Sequence, residues 1–209
     1  MNDEEQKAKV VVHRRSPKGE KRRQLIIDAM LQELSVRGYN SASIVEVAKN
    51  VGITTAGLLH HFPTKEALLM AVLERQDEMM AEHFVFDEGQ ITLSSLFEKM
   101  RSVLCFAQGN YGLTLAQTIL NTESLVPEHP AWSRFQERFN FIYKMNDATF
   151  KELIERGEMK PDIDPTALGA EIFSILDGLQ IQWLRNPHKI DMVKVFDGYL
   201  QRLEKTIRN

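Results

Sequence analysis

A chain of 209 residues, 43% hydrophobic and 26% charged, is an ordinary globular composition, enough for one large domain or a small one joined to a larger. No apolar run approaches the roughly 18 residues that would cross a bilayer, the opening MNDEEQKAKV lacks the pattern of a secretory signal, and the single cysteine, Cys105, excludes an internal disulfide. A cytoplasmic protein with no membrane partner is expected. The net charge of −3 hides an asymmetry: residues 13–65 carry nine Lys/Arg against four Asp/Glu, while residues 66–209 sum to −7. Such a balance points to a polyanion contact confined to one end.

Apolar spacing of three and four residues dominates and no period-two stretch is long enough for a strand, so the expected class is all-α with about nine helices. Residues 1–17 read as a polar, flexible arm, basic at His13-Arg14-Arg15 and closed by Pro17. The first helix starts near Lys18, runs Leu25, Ile26, Ala29, Met30 and Leu34 along one stripe, and stops at Gly38. Ser43, with Glu46 three residues on, reads as a capping box for a short helix turning Ile44, Val47 and Ala48 inward. Gly52 ends that helix, and Thr54 caps the next, which runs to about His61. Past Pro63, Thr64 caps a fourth helix buried through Leu68, Leu69, Val72 and Leu73. After an irregular stretch over 84–89, further helices are expected near 91–107, 111–122, 130–156, 165–185 and 188–207, with Asp164 and Pro165 as cap and first-turn proline. The expected division is an arm of 1–17, a head of 18–63 and a body of 64–209.

Two short helices joined by a glycine turn form a helix-turn-helix when the second can lie in a major groove. Ala48 is small enough for close approach, Gly52 can take the positive φ of the turn, and Leu58 anchors the second helix. Its outward face is left to Thr54, Thr55, Ala56, Leu59 and His60, and no Asp or Glu falls between 47 and 65 to repel phosphates. From spacing alone, any short polar surface helix would look much the same. Adjacent helical residues such as His60 and His61 point about 100° apart, and no other ligand lies at metal spacing, so neither metal nor cofactor is expected. Arg14, Arg15, Lys18, Lys21, Arg22 and Arg23 read either as a solvated helix start or as an arm that follows phosphates.

The stretch VGITTAGLLHHFPTKEALLMAVL, from Val51 to Leu73, closely resembles the core signature of TetR-family transcriptional regulators. The likeness extends from about Arg22 to Val72 and takes in Gly38-Tyr39 and Ser43-Ile44-Val45-Glu46-Val47-Ala48. The resemblance implies that Thr54, Thr55 and Ala56 face base edges and that His60 meets a phosphate or a base. It also implies that Ser43 and Lys65, at helix starts, bind backbone phosphates, and that Phe62 is a core pin. This chain departs from the family pattern at Leu59, where a tyrosine is usual, and at Ala56-Gly57, where Gly-Thr is usual. Base preference cannot be carried over, and Gly57 serves either close approach to DNA or helix packing.

In the body, the helix over 165–185 is apolar almost all round, with Leu168, Ile172, Ile175 and Leu179 on one stripe and Phe173, Leu176 and Trp183 on another. The last helix offers Met192, Phe196, Tyr199, Leu203 and Ile207 at matching spacing. A homodimer through these two helices is expected, as the resemblance also implies. Aromatic and methionine side chains between these elements read as core or as a pocket. The resemblance implies a cavity for an apolar or amphipathic small molecule of unknown identity, with Phe97, Met100, Leu104, Gln117, Asn121, Phe139, Tyr143 and Gln180 as candidate lining. Cys105 is expected to be a buried, inert thiol. The expected function is a DNA-binding transcriptional regulator, a repressor released from a palindromic operator by its ligand. A helical protein–protein adaptor and an enzyme are the alternatives, the latter with His129 beside Glu128 or the Asp162/Asp164 pair as its only catalytic candidates.

Overall fold

The computed structural model describes residues 17–81 and 91–209. The arm residues 1–16, including His13, Arg14 and Arg15, and the 84–89 stretch lie outside the described residues. Nine helices are present among the described residues: α1 (Pro17–Ser41), α2 (Ile44–Val51), α3 (Thr55–His61), α4 (Lys65–Ala81), α5 (Leu93–Gly109), α6 (Tyr111–Glu123), α7 (Trp132–Glu155), α8 (Pro165–Arg185) and α9 (Met192–Ile207). The all-α expectation holds, and most boundaries fall within two residues of those read from the sequence.

The exceptions have local causes. The helix expected from 188 begins at Met192, because Asp191 accepts a hydrogen bond from the Lys194 amide and supplies the true N-cap. The helix expected from 130 begins at Trp132, because the His129 Nδ1 accepts from the Ala131 amide at 3.1 Å and holds that segment as a turn. At Ser43 only half of the capping box forms. The Ser43 hydroxyl accepts from the Glu46 amide, but the Ser43 amide donates to Glu33 of α1, and Glu46 turns to Lys49 instead. Asp164 caps α8 as expected, accepting from the Thr166 and Ala167 amides.

The apolar core falls into two clusters. One gathers α1 to α4 with α6 and the start of α7, through Ile26, Met30, Leu34, Val47, Leu58, Leu68, Leu120 and Phe135. The other joins α5, the end of α7, α8 and α9. Leu25 is 53% exposed and not part of the stripe, since the buried arc of α1 is centred on Ile26, Met30 and Leu34 and takes in Ile27 instead. Cys105 is exposed, contrary to expectation. The buried face of α5 runs through Leu93, Phe97, Met100, Leu104 and Ala107, and Cys105 stands about 100° around the helix from Leu104.

Where head meets body, α1 kinks at Gly38 (φ 68°, ψ 178°), a conformation essentially reserved for glycine. The Glu123 carboxylate at the end of α6 sits against Gly38 and accepts from the Tyr39 amide at 2.7 Å. Tyr39 in turn donates its hydroxyl to Glu66 at 3.1 Å, lies under the Lys65 ammonium at 4.5 Å, and meets the His129 ring edge-on at 5.0 Å. Three body elements therefore close on one turn of the head. Burial and the Glu66 carboxylate both push the Tyr39 phenol well above its ordinary range, keeping it a hydrogen-bond donor.

Gly38→Ala should lower unfolding free energy by about 1–3 kcal/mol for the backbone strain and by more because its Cβ would lie 2.5 Å from the Glu123 carboxylate. Urea unfolding at fixed protomer concentration checks this, and the loss should shrink in a Glu123→Ala background, where only the strain remains. Burial holds the His129 imidazole below its ordinary range, with the Glu123 carboxylate pulling the other way. An unfolded histidine takes up a proton near pH 6.5, where the folded one does not, so the stability present above that pH is lost as pH falls through it. The pH dependence of unfolding between about pH 7.5 and 5.5 should be flatter in His129→Gln than in the native chain.

Candidate nucleic-acid interface

An isolated helix of seven residues is far below the length at which helices persist in water. The shape of α3 therefore comes from what its ends and inner face are fastened to. Gly52 ends α2 in the left-handed conformation (φ 70°, ψ 39°), its amide reaching Ala48 and Lys49, and the Ile53 amide also returns to Ala48 at 3.0 Å. The Thr54 hydroxyl then accepts from the Gly57 amide at 3.0 Å and opens α3. On the inner face Leu58 is fully buried, and Phe62, immediately after the helix, is 2% exposed. The Arg23 guanidinium stacks over the Phe62 ring at 4.3 Å. Arg22, one residue earlier, donates to the Val51 carbonyl at the end of α2. Two members of the basic cluster, read as a solvated helix start or a phosphate-following arm, thus brace the head, and the Arg22 pairing across 29 residues is hidden from sequence spacing.

The outer face of α3 is open. Thr54, Ala56, Leu59 and His60 are exposed, with Thr55 and Gly57 half-buried. A Cβ at Gly57 would press on the Thr54 hydroxyl at 3.3 Å. The His60 and His61 rings meet edge to face at 5.8 Å. Ser43 is half-buried at the start of α2, its oxygen taken by the Glu46 amide and its proton left to donate. Lys65 lies over Tyr39 and donates to the Asn40 carbonyl at 3.4 Å. Thr54, Ala56, Leu59 and His60 are therefore open to solvent at α3, with Ser43 and Lys65 at neighbouring helix starts. This is the arrangement of a helix-turn-helix DNA-binding regulator.

The residues matched by the family model for bacterial regulatory proteins of the tetR family are 26–72, the head and the first half of α4. Residues 26–72 thus carry the amino-terminal head of that family. Over its whole length it is similar to the nucleoid occlusion factor SlmA of Vibrio cholerae, 26% identical over 194 residues that span 90% of this chain and 96% of the relative. The same factor from Vibrio atlanticus is 25% identical with the same coverage. In fold the chain is similar to a TetR transcriptional regulator from Chloroflexus aurantiacus, with a TM-score of 0.76, 18% identity and 92% and 99% of the two chains covered. It is also similar to the transcriptional regulator FadR from Bacillus subtilis in complex with stearoyl-CoA, with a TM-score of 0.72, 20% identity and 85% and 95% covered.

The candidate pocket residues lie on four helices, α5 to α8. Phe97, Met100 and Leu104 are buried in the second core cluster. Phe139 stacks on Tyr143 at 6.4 Å, and Tyr143 meets Phe173 at 5.6 Å. Gln117 faces a cleft shared with α4 and α7, while Asn121 and Gln180 are half-buried on α6 and α8. The apolar stripe of α9 is spent within its own chain: Met192, Phe196, Leu203 and Ile207 are buried, and only Tyr199 of the five expected contacts is half-open. What α8 and α9 leave outward is Ile181 and Val195, at 40% and 47% exposure, beside a shallow depression lined by Leu179, Gln182, Ile190 and Lys194. Of the catalytic candidates, Asp164 is engaged as a helix cap and His129 holds the turn before α7.

Thr54→Ala removes the first-turn cap of α3 and should cost about 1 kcal/mol of stability. Urea unfolding should show a lower midpoint with an unchanged slope.

Proposed function

We propose that this regulator is a homodimeric repressor that reads a palindromic operator with α3 of each protomer and is released by a small apolar or amphipathic effector. One observation carries the reading: α3 is held from behind by Leu58 and Phe62 and presents a solvent-facing surface with no acidic group. In this reading residues 18–63 form the reading head, 64–209 the sensing and pairing body, and the arm of 1–17 precedes them. Thr55, Ala56 and His60 read bases, Thr54, Gly57 and Leu59 shape the approach, and Ser43 and Lys65 hold phosphates.

Pairing through α8 and α9 is supported by the apolar side chains that remain outward there, Ile181 and Val195, with half-buried Leu179 beside them. The two recognition helices would then sit about 34–36 Å apart, one turn of duplex. The effector would meet the aromatic group around Tyr143. α4, which begins three residues after Phe62, would carry the change to the head. The likeness to FadR, solved with an acyl-CoA, supports an effector with an apolar body. No helix among the described residues is long and apolar enough to cross a membrane, and the working location is the nucleoid.

The whole-chain similarity to nucleoid occlusion factors favours a second reading, in which the same head marks chromosomal sites for a purpose other than transcription. Mapping bound sites along the chromosome separates the two: sites clustered in promoters support the repressor, and sites scattered through coding regions support the second reading.

Selection from a random duplex pool should return a two-fold symmetric site. At fixed salt, Thr55→Ala/His60→Ala should reduce preference for that site over random DNA by roughly ten- to a hundredfold. An unchanged ratio overturns the assignment of the reading face.

A further inference from the structure

Helices α4 and α7 face each other across a cleft whose polar lining is Gln76 and Asp77 from α4, Arg134 and Arg138 from α7, and Gln117 from α6. Leu73 and Phe135 form apolar walls on either side. Each oxygen of the Asp77 carboxylate is taken by a different arginine, Oδ2 by Arg134 at 2.5 Å and Oδ1 by Arg138. Two fixed positive charges thus meet one negative charge, and two guanidiniums offer more N–H donors than one carboxylate can accept. Beside them Gln76 is 3% exposed, and its Nε2 donates to nothing among the described residues. Native proteins rarely keep a buried amide donor idle. The unfilled space beside it holds about one water molecule, so a larger group enters only where the Asp77 side chain now lies.

Donors in surplus, net positive charge and apolar flanks together describe the complement of a particular ligand. The geometry points to an anion-binding site in the α4–α7 cleft, filled by the chain's own Asp77, that takes a small molecule bearing a carboxylate or phosphate on an apolar frame. Such a ligand supplies oxygens to Arg134, Arg138 and Gln76 and puts Asp77 out into solvent. Only its regulatory consequence rests on the function proposed above: once Asp77 is released, α4 loses its ion pairs to α7 while staying continuous with the head.

The test uses the full chain, with inorganic phosphate and hexanoate as probes and ionic strength held constant with sodium chloride. Arginine side-chain Nε–Hε resonances and the unfolding temperature are followed together. In the native chain one or both probes should shift the Arg134 and Arg138 resonances, and Arg134→Gln/Arg138→Gln should abolish the effect. Asp77→Asn, which removes the internal competitor, should bind the effective probe at least about tenfold more tightly and regain unfolding temperature on its addition. A response to hexanoate alone assigns a carboxylate, and a response to phosphate alone a phosphate. If Asp77→Asn binds neither probe more tightly than the native chain, the site is overturned. If that variant fails to fold, the native titration decides, and arginine resonances unmoved up to the solubility of hexanoate overturn it. Operator release is read separately. Release without arginine shifts removes the site and leaves the repressor reading intact. Arginine shifts without release keep the site and remove its regulatory consequence.

Discussion

A seven-residue recognition helix cannot hold itself together, and that constraint organises the molecule. Its geometry is borrowed from Leu58 and Phe62, both sunk in a cluster that α1, α2 and α4 build around them. Because those two side chains fix the rotation of α3 about its own axis, Ala56 and His60 stay outward, with Thr55 half-buried beside them. Arg23 above Phe62 and Arg22 on the Val51 carbonyl tighten the same unit from the amino-terminal side.

That cluster does not end with the head. Ala116 and Leu120 of α6 and Phe135 of α7 belong to it, so reader and body share one piece of apolar packing. Interiors of this kind are close-packed and respond to displacement as units. The polar contacts follow the same route: Glu123 on the Tyr39 amide, Glu66 on its hydroxyl, and Arg134 and Arg138 on Asp77. Each ends on the kinked end of α1 or on α4, the two elements that flank the helix-turn-helix of α2 and α3.

Much of this was legible in the sequence where structure is decided locally. Gly38, Gly52, Thr54 and Asp164 each announce a boundary, because a positive φ or a first-turn acceptor is a property of one residue and its next few neighbours. Failures came where a distant group intervened. Glu33 took the Ser43 amide that Glu46 was expected to hold, and Arg22 found a carbonyl across the head. Periodicity identified apolar helices but not which protein surface covers them. Leu25 and Cys105 fell outside the buried arcs, and the α9 stripe expected to face a second subunit was filled by this chain's own core. The candidate pocket side chains are spread over four helices, whose mutual placement no local pattern encodes.

The fit of Glu123 against Gly38 has a consequence for how such proteins can be rebuilt or diversify. The two residues stand 85 positions apart, yet the carboxylate occupies the space any side chain at 38 would claim. Neither can be exchanged without regard to the other, so a chimaera joining this reader to a foreign sensor must transplant the pair or redesign it. Lineages that shuffle sensors while keeping their readers would be expected to leave a matched substitution at these two places.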